Sequence, residues 1–450
     1  MNPVIKKKVF WIQMKAESPL CLSSGKEEET DADVMRNYKE EPFVPAASLA
    51  GAMRAYLKKR KDEPCIMGCS GKENDGKADD EKADDGRMSA VFLSDMTFEE
   101  KPIVSVRDGV ELNEKKTAVN ESKYDMEIIE AGICASFYAE ITIREKDMET
   151  EYEEEFAAII KGLHNGEIRL GRKKTRGYGR FSVCHVACKV FNKRNYLEYA
   201  NLYLDEKTWE TGENELDKWL NRSQKESQYL TLEVPLRLKG GISIRQYASK
   251  KGEPDFVQLA NKKGNAVIPG SSFAGAIRHR IETILTELVR KGLNICVSDV
   301  IDGMFGYVKK KEKEAHVSAV VINESEIEGA KPLLMTRNGI SRFESSARDK
   351  TLFTEKTYVD GTLTLNIRIK KDAQVEKDSR VCSEQMLGLI LMAVEDMRNG
   401  FLAVGGATSI GRGILTADKE KEILLDGETL ENVYDKIGEA LRPLTGGMNA

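Results

Sequence analysis

The 450-residue chain contains no run of about 18 consecutive apolar residues, which excludes a membrane-spanning helix on sequence grounds. Cysteine is scarce: eight residues are too few for a disulfide scaffold, and a reducing cytoplasm is the expected compartment. The basic N-terminus, MNPVIKKKVFWIQMK, has neither a long apolar stretch nor a small-residue cleavage site, so no secretory signal is expected. There are only four histidines (His164, His185, His279 and His316), and they are scattered along the chain. No P-loop, dinucleotide fingerprint or polymerase-like aspartate pair occurs. Charge, by contrast, is abundant. Charged residues make up 32% of the chain, with 69 basic against 74 acidic side chains and a formal net charge of −5. That balance excludes a uniformly basic nucleic-acid coat but leaves room for local basic tracks. At about 150 residues per domain, the length allows two or three domains.

The chain repeats itself. Val44 to Leu57 (VPAASLAGAMRAYL) matches Ile268 to Ile281 (IPGSSFAGAIRHRI), 224 positions on. MSAVFLSD from Met88 matches HVSAVVIN from His316, with Ser89 and Ser318 229 apart. Arg107-Asp108-Gly109 pairs with Arg337-Asn338-Gly339, and LGRKKTRGYGRF from Leu170 pairs with VGGATSIGRGIL from Val404. Matches in one order with a slowly drifting offset mean a duplicated domain carrying small insertions.

Each copy reads as the same series of elements. In copy one, strands are expected at Val9 to Lys15, Ala90 to Met96, Cys134 to Ile143 and Tyr178 to Val190. Its helices are Ser48 to Arg60, with Ser48 as N-cap, and Glu151 to Leu163, whose apolar stripe is Phe156, Ile159, Ile160 and Leu163. In copy two, strands fall at Leu230 to Leu238, Val317 to Ile322, Leu363 to Ile369 and near Gly413, with helices at Ser272 to Arg290 and Ser383 to Arg398. The order β-α-β-β-α-β, found twice, predicts an α+β chain of two tandem ferredoxin-like domains, residues 1–190 and 229–420, with long loop insertions. Residues 191–228 read as a structured linker with a helix near Glu213 to Leu220. Residues 421–450 read as a C-terminal helix and tail, and the acid-rich Gly71 to Arg87 as a mobile insertion.

A strand and long loop leading to (V/I)P-x-x-S-x-x-G-x-(M/I)R at a helix start, followed by a glycine-rich G-x-G near the end of the unit, resembles the RAMP superfamily of CRISPR-associated RNA-binding proteins. The chain looks most like the backbone subunits of type III interference complexes, which stack along a guide RNA. The second copy carries the fuller signature, IPGSSFAGAIR, then Met304 to Gly306, then GGATSIGRG. The first departs from it, with Pro45-Ala46-Ala47-Ser48 in place of PGSS and Met67-Gly68-Cys69 in place of the MFG turn. The resemblance implies guide RNA, complementary target RNA and other type III subunits as partners. It also implies thumb-like hairpins over Ser105 to Gly132 and Thr336 to Gly361, a placement resting on Arg107 and Arg337.

Read on their own, the motif residues point the same way. Pro269-Gly270-Ser271-Ser272 can present N–H groups and hydroxyls at a helix N-terminus, where a phosphate binds favourably. Ser48, Arg54 and Arg278 sit on matching helices, the two arginines within reach of backbone phosphates. The plainer reading of the small residues there is helix-to-sheet packing. Arg172, Lys173, Lys174, Arg176 and Arg180 form the densest basic segment, with Tyr178 interleaved as a stacking platform. Arg412 is the remaining cation of the equivalent loop in copy two. The tracts Lys58 to Lys61 and Lys309 to Lys313 read as solvated faces.

In catalytic relatives a β1–α1 loop aspartate cuts target RNA with a divalent metal. Asp31 precedes Pro45 by 14 residues and Asp255 precedes Pro269 by 14, so both are candidates for catalysis and for Mg2+ or Mn2+, with Asp33 the alternative in copy one. The chemistry would be help in deprotonating a ribose 2′-hydroxyl that attacks the adjacent phosphate. Cys65, Cys69, Cys184 and Cys188 offer a looser zinc possibility, against which Cys184 and Cys188 fit equally on one core face of a strand. Two other functions stay open: a non-cleaving scaffold or cap of the same complex, and a guide-RNA-processing endoribonuclease.

Overall fold

The strand Val4–Ala16 is buried on both faces, and the rest of the first unit is built around it. Phe10, Ile12 and Met14 alternate onto one side and enter the main core, while Val9 and Trp11 face the other. It pairs antiparallel with Cys134–Arg144 on one side and Phe181–Asn192 on the other. The short strands Val91–Leu93 and Met96–Phe98 extend the sheet beyond Cys134–Arg144. The second unit repeats this plan: Tyr229–Lys239 lies between Thr362–Lys370 and Ile414–Ala417, and Val320–Ile322 pairs with the outer side of Thr362–Lys370. In both, the sheet order is fourth, first, third, second strand, the ferredoxin-like order expected from the sequence.

The computed structural model describes residues 2–23, 25, 30–59, 66–68, 87–110, 113, 117, 119–199, 212–224, 226–247, 254–309, 314–373 and 381–445. The chain divides into two compact units. One comprises Met1–Val106, Met126–Lys174 and Tyr178–Glu226; the other comprises Arg107–Asp125, Thr175–Gly177 and Ser227–Ala450. Among the described residues no helix is long and apolar enough to cross a membrane.

Helices Ala46–Lys58 and Glu149–His164 cover the core face of the first sheet. Gly270–Arg290, Val297–Phe305 and Ser383–Arg398 cover that of the second. Several boundaries differ from the sequence reading. The strand read as Ala90 to Met96 is broken into Val91–Leu93 and Met96–Phe98. The helix Val297–Phe305 was not expected, because nine residues are too few to show a clear period. Glu428–Thr429 pairs with Leu424–Leu425, and the last helix spans Val433–Thr445. Most of the insertion read at Gly71 to Arg87 lies outside the described residues.

Residues 191–228 do more than link. Their helix Leu216–Arg222 inserts Trp219, 3% exposed, into the first core. There the indole meets Phe10 at 5.0 Å and Phe156 at 5.8 Å, both edge-on. Truncating such an indole costs about 3–5 kcal/mol. Arg222 also bonds Glu153, which in turn bonds Lys8, and Lys8 pairs with Glu149 at 2.7 Å.

Burial alone would raise the Glu149 carboxyl, but hydrogen bonds from Lys6 and Lys8, with their charges, hold it below its ordinary value of 4.5. Its contribution to stability is therefore complete above that value and is lost as pH falls through the lower folded one. Lys8 is the mirror case. Burial opposes its charge, Glu149 and Glu153 more than restore it, and its contribution disappears only as pH rises beyond 10.5. Glu149→Gln should flatten the acid-side loss of stability, read as urea midpoints across roughly pH 3–6.

Candidate RNA-binding and catalytic site

The glycine-rich loop before the last strand of each copy closes on itself in the same way. Leu170 N–H donates to the Gly179 carbonyl, and Val404 N–H to that of Gly413. Gly179 (φ 73°) and Gly413 (φ 72°) lie so close to the carbonyls of Leu170 and Val404 that a Cβ at either would overlap them. The glycines at these two positions are required by backbone contact within the protein.

In copy one this loop turns Arg172, Lys174 and Arg176 to solvent and leaves Lys173 and Arg180 half-buried. Arg169 fixes it from below, its guanidinium donating to Gly166 O at 3.3 Å and Lys174 O at 3.4 Å. The Lys174 ammonium is held below its usual range, first by crowding against the protein and then by the like charge of Lys59. The sequence gives no sign of this pairing, since Lys59 lies in a tract read as solvated.

Tyr178 does not serve as an open stacking platform: it is 6% exposed, because the closed loop turns it inward. Arg412, at the equivalent position of copy two, is likewise buried at 9% exposure and points to Glu355 (3.4 Å). Arg337 reaches the same Glu355 oxygen at 3.3 Å. In copy one the corresponding acid is Glu127, which accepts from Val34 N–H (2.8 Å) and Arg36 (2.9 Å). Each hairpin thus carries a buried glutamate near the start of its return strand, a pair that motif matching missed because the surrounding residues differ. Arg107 is also withdrawn from solvent. It is 3% exposed and bonds Glu324 at 2.6 Å, both residues belonging to the second compact unit.

Helices Ala46–Lys58 and Gly270–Arg290 both begin directly after a proline. Pro45 and Pro269 are the N-caps, so Ser48 and Ser272 lie inside the first turn, donating backbone N–H to Pro45 O and Pro269 O. In copy one Asp95 already accepts the Ala46 N–H at 2.8 Å, so a carboxylate occupies the place of a phosphate. In copy two Gly270 is buried against the carbonyls of Ile322 and Arg176, while Ser271 is exposed. Arg54 donates to the Met67 carbonyl. Arg278 is exposed, 3.5 Å from Asp302.

The loop aspartates separate clearly. Asp33 is 7% exposed and accepts from Thr30 N–H (2.9 Å) and Thr30 Oγ1 (2.8 Å), a turn-forming arrangement. Asp31 and Asp255 are both exposed. They stand at equivalent places. The residue after Asp31, Ala32, accepts the Glu127 N–H, and the residue after Asp255, Phe256, pairs in parallel with Glu355. Asp255 Oδ2 accepts Thr354 N–H at 2.7 Å.

Cys65 and Cys69 lie outside the described residues. A register shift puts Cys184 in a bulge opposite Gln13 and Met14, so it does not share a face with Cys188. Cys184 is exposed, whereas burial, and then the charge of Glu215, pushes the Cys188 thiol up to about 12. Among the described residues no group of three His, Cys, Asp or Glu gathers as a metal site. The histidines are dispersed too: His164 meets Val183 O at 3.0 Å, and His185 lies edge-on to Trp11 at 5.4 Å.

Hairpins occupy both regions where thumbs were expected. In copy two, Lys331–Arg337 pairs with Phe353–Val359, and the tip exposes Ile340, Leu352 and a 98% exposed Phe343. In copy one the strands are Val104–Gly109 and Tyr124–Ile129, with part of the tip outside the described residues.

A sequence model of one protein superfamily, the RAMPs, matches residues 13–182 and 229–416, one region in each copy. No curated protein sequence matches the chain significantly. Arg107→Ala should leave the half-buried Glu324 carboxylate without this ion pair and cost about 1–3 kcal/mol by urea denaturation, whereas Arg107→Met combined with Glu324→Leu should recover most of the loss.

Proposed function

Because the chain belongs to the RAMP superfamily and carries its domain twice, we propose that it is a guide-RNA-binding backbone subunit of a type III CRISPR interference complex that cleaves complementary target RNA at two positions. The superfamily membership supports a CRISPR-associated RNA-binding role. The observation that carries the finer reading is the equivalent, exposed placement of Asp31 and Asp255 in a duplicated fold.

RNA would follow the exposed cations Arg172, Lys174 and Arg176, through phosphate contacts that weaken with salt. Recognition would be of backbone and shape, since sequence is read by base pairing to the guide. The exposed apolar tip around Phe343 is suited to wedging between nucleotides. Each aspartate would accept a proton from, or orient, a ribose 2′-hydroxyl for attack on the adjacent phosphorus, breaking the P–O5′ bond to leave a 2′,3′-cyclic phosphate and a 5′-hydroxyl that takes its proton from water. Asp31 and Asp255 would each offer an exposed carboxylate to Mg2+ or Mn2+, with RNA oxygens and water completing the shell. Bound there, a divalent ion would neutralise charge developing on the phosphate.

A scaffold without cleavage is the second reading, favoured by the hydrogen bond that already engages Asp255 with Thr354. The two part in one experiment. The assembled complex, with guide, magnesium and labelled complementary RNA, is compared as wild type, Asp31→Ala, Asp255→Ala and the double mutant. Each single change should abolish one distinct product, slowing that cut about 10²–10⁴-fold while target affinity holds. Unchanged cuts in the double mutant would make the chain a scaffold.

A further inference from the structure

In each copy two backbone bonds tie the glycine-rich loop to the segment after the first strand, and they set the correspondence between the repeats. In copy two Gly413 N–H donates to Gly241 O at 2.8 Å and Gly406 N–H to Ser243 O at 2.7 Å. In copy one Gly179 N–H meets Pro19 O at 2.8 Å and Arg172 N–H meets Cys21 O at 2.7 Å. Gly241 thus corresponds to Pro19, Ser243 to Cys21 and Arg245 to Ser23. The next contacts agree. Arg245 pairs with Gln258 and Ser23 bridges Val34, and Asp255 and Asp31 each lie three residues before these partners.

The matched positions carry different chemistry. In copy two the Arg245 guanidinium lies over the Phe256 ring, 4.0 Å from its centroid, and Phe353 braces that ring edge-on at 6.0 Å. Phe256 directly follows Asp255. The strand that carries it is fixed from both sides. Buried Gln258 accepts the Ile244 N–H at 2.6 Å and donates to Val267 O at 3.0 Å, while Asp255 Oδ2 accepts Thr354 N–H at 2.7 Å. Arg245 is exposed, and among the described residues no carboxylate pairs with it. In copy one the same two places hold Ser23 and a buried Ala32, and Arg36, five residues after Asp31, is bonded to Glu127 at 2.9 Å.

A guanidinium stacked on a ring keeps its N–H edge for hydrogen bonding and does not lose its charge near neutral pH. An ordinary surface arginine samples many rotamers, whereas this one is held by the side chain adjoining the candidate carboxylate. Beside a group that activates a 2′-hydroxyl, a fixed cation suits a phosphate whose oxygens gain charge during attack. We infer that Arg245 is the cation that contacts the phosphate under attack at the Asp255 site, a partner that the Asp31 site lacks at the equivalent position. This deepens the cleavage reading above and rests on it. Donation from Arg245 to the non-bridging oxygens offsets their charge as the 2′-oxygen adds and the P–O5′ bond breaks.

The test uses the assembled complex with guide, magnesium and labelled complementary RNA, and follows the two products separately under single-turnover conditions. Arg245→Met keeps an apolar side chain on Phe256 and removes the charge. It should slow the Asp255-dependent cut about 10²-fold, with the Asp31-dependent cut and target affinity at wild-type values. Arg245→Lys should recover part of that rate, since charge returns without the planar fork. The unaffected cut in the same molecules shows that the variant folds and assembles. Wild-type rates for both products in Arg245→Met, while Asp255→Ala still removes its own product, would overturn the inference and leave the cleavage reading standing. Equal slowing of both cuts, or weaker target binding, would assign Arg245 to RNA binding and overturn it as well. If Asp255→Ala removes no product, the cleavage reading fails and the inference fails with it.

Discussion

One backbone contact in each copy shapes its glycine-rich loop. Gly179 approaches the Leu170 carbonyl, and Gly413 that of Val404, too closely for any side chain to intervene. With this closure the chain enters its last strand beside the central one, and the loop's side chains are sorted into two sets. Those at alternate positions of the first copy, Arg172, Lys174 and Arg176, face solvent, and Tyr178 faces the protein. The sorting follows from backbone geometry, before any ligand is considered. It explains why the densest basic segment of the chain presents cations without an aromatic partner.

Once that loop is closed, charge inside the fold has to be matched locally. Glu127 and Glu355 are buried near the starts of the hairpin return strands, and each is met by arginine. A lone buried carboxylate would be costly, and breaking such a pair more so than replacing it whole. Arginines that looked like RNA contacts therefore act within the protein. Arg172, Lys174 and Arg176 remain exposed on the loop.

The architecture was legible because duplication writes it twice. Hydrophobic spacing in Phe10, Ile12 and Met14, and in Phe156, Ile159, Ile160 and Leu163, depends on local periodicity, which a sequence displays directly. The exposed aspartates were legible too, through equal spacing to Pro45 and Pro269. Burial of cations was not. Whether Arg107 meets a phosphate or Glu324 depends on residues far away in sequence, and Arg172 and Arg107 look alike in composition. The bulge that separates Cys184 from Cys188 was equally invisible, since one extra residue in a strand leaves no compositional mark. Trp219 lay in a polar segment whose single indole outweighs its neighbours in packing.

The equivalent positions Tyr178 and Arg412 have an evolutionary consequence. One slot holds a neutral ring; the other holds a cation on which Glu355 depends and to which Arg337 is tied through the same oxygen. Gene conversion that copied this loop from one repeat to the other would deliver a tyrosine to a site that needs a charge, or a guanidinium to a site whose corresponding acid, Glu127, is already met by Arg36. Such exchanges are viable only if several substitutions arrive together. Epistasis around a single buried residue therefore acts as a barrier to homogenisation, letting two copies of one domain drift apart within the same chain while their backbones remain alike.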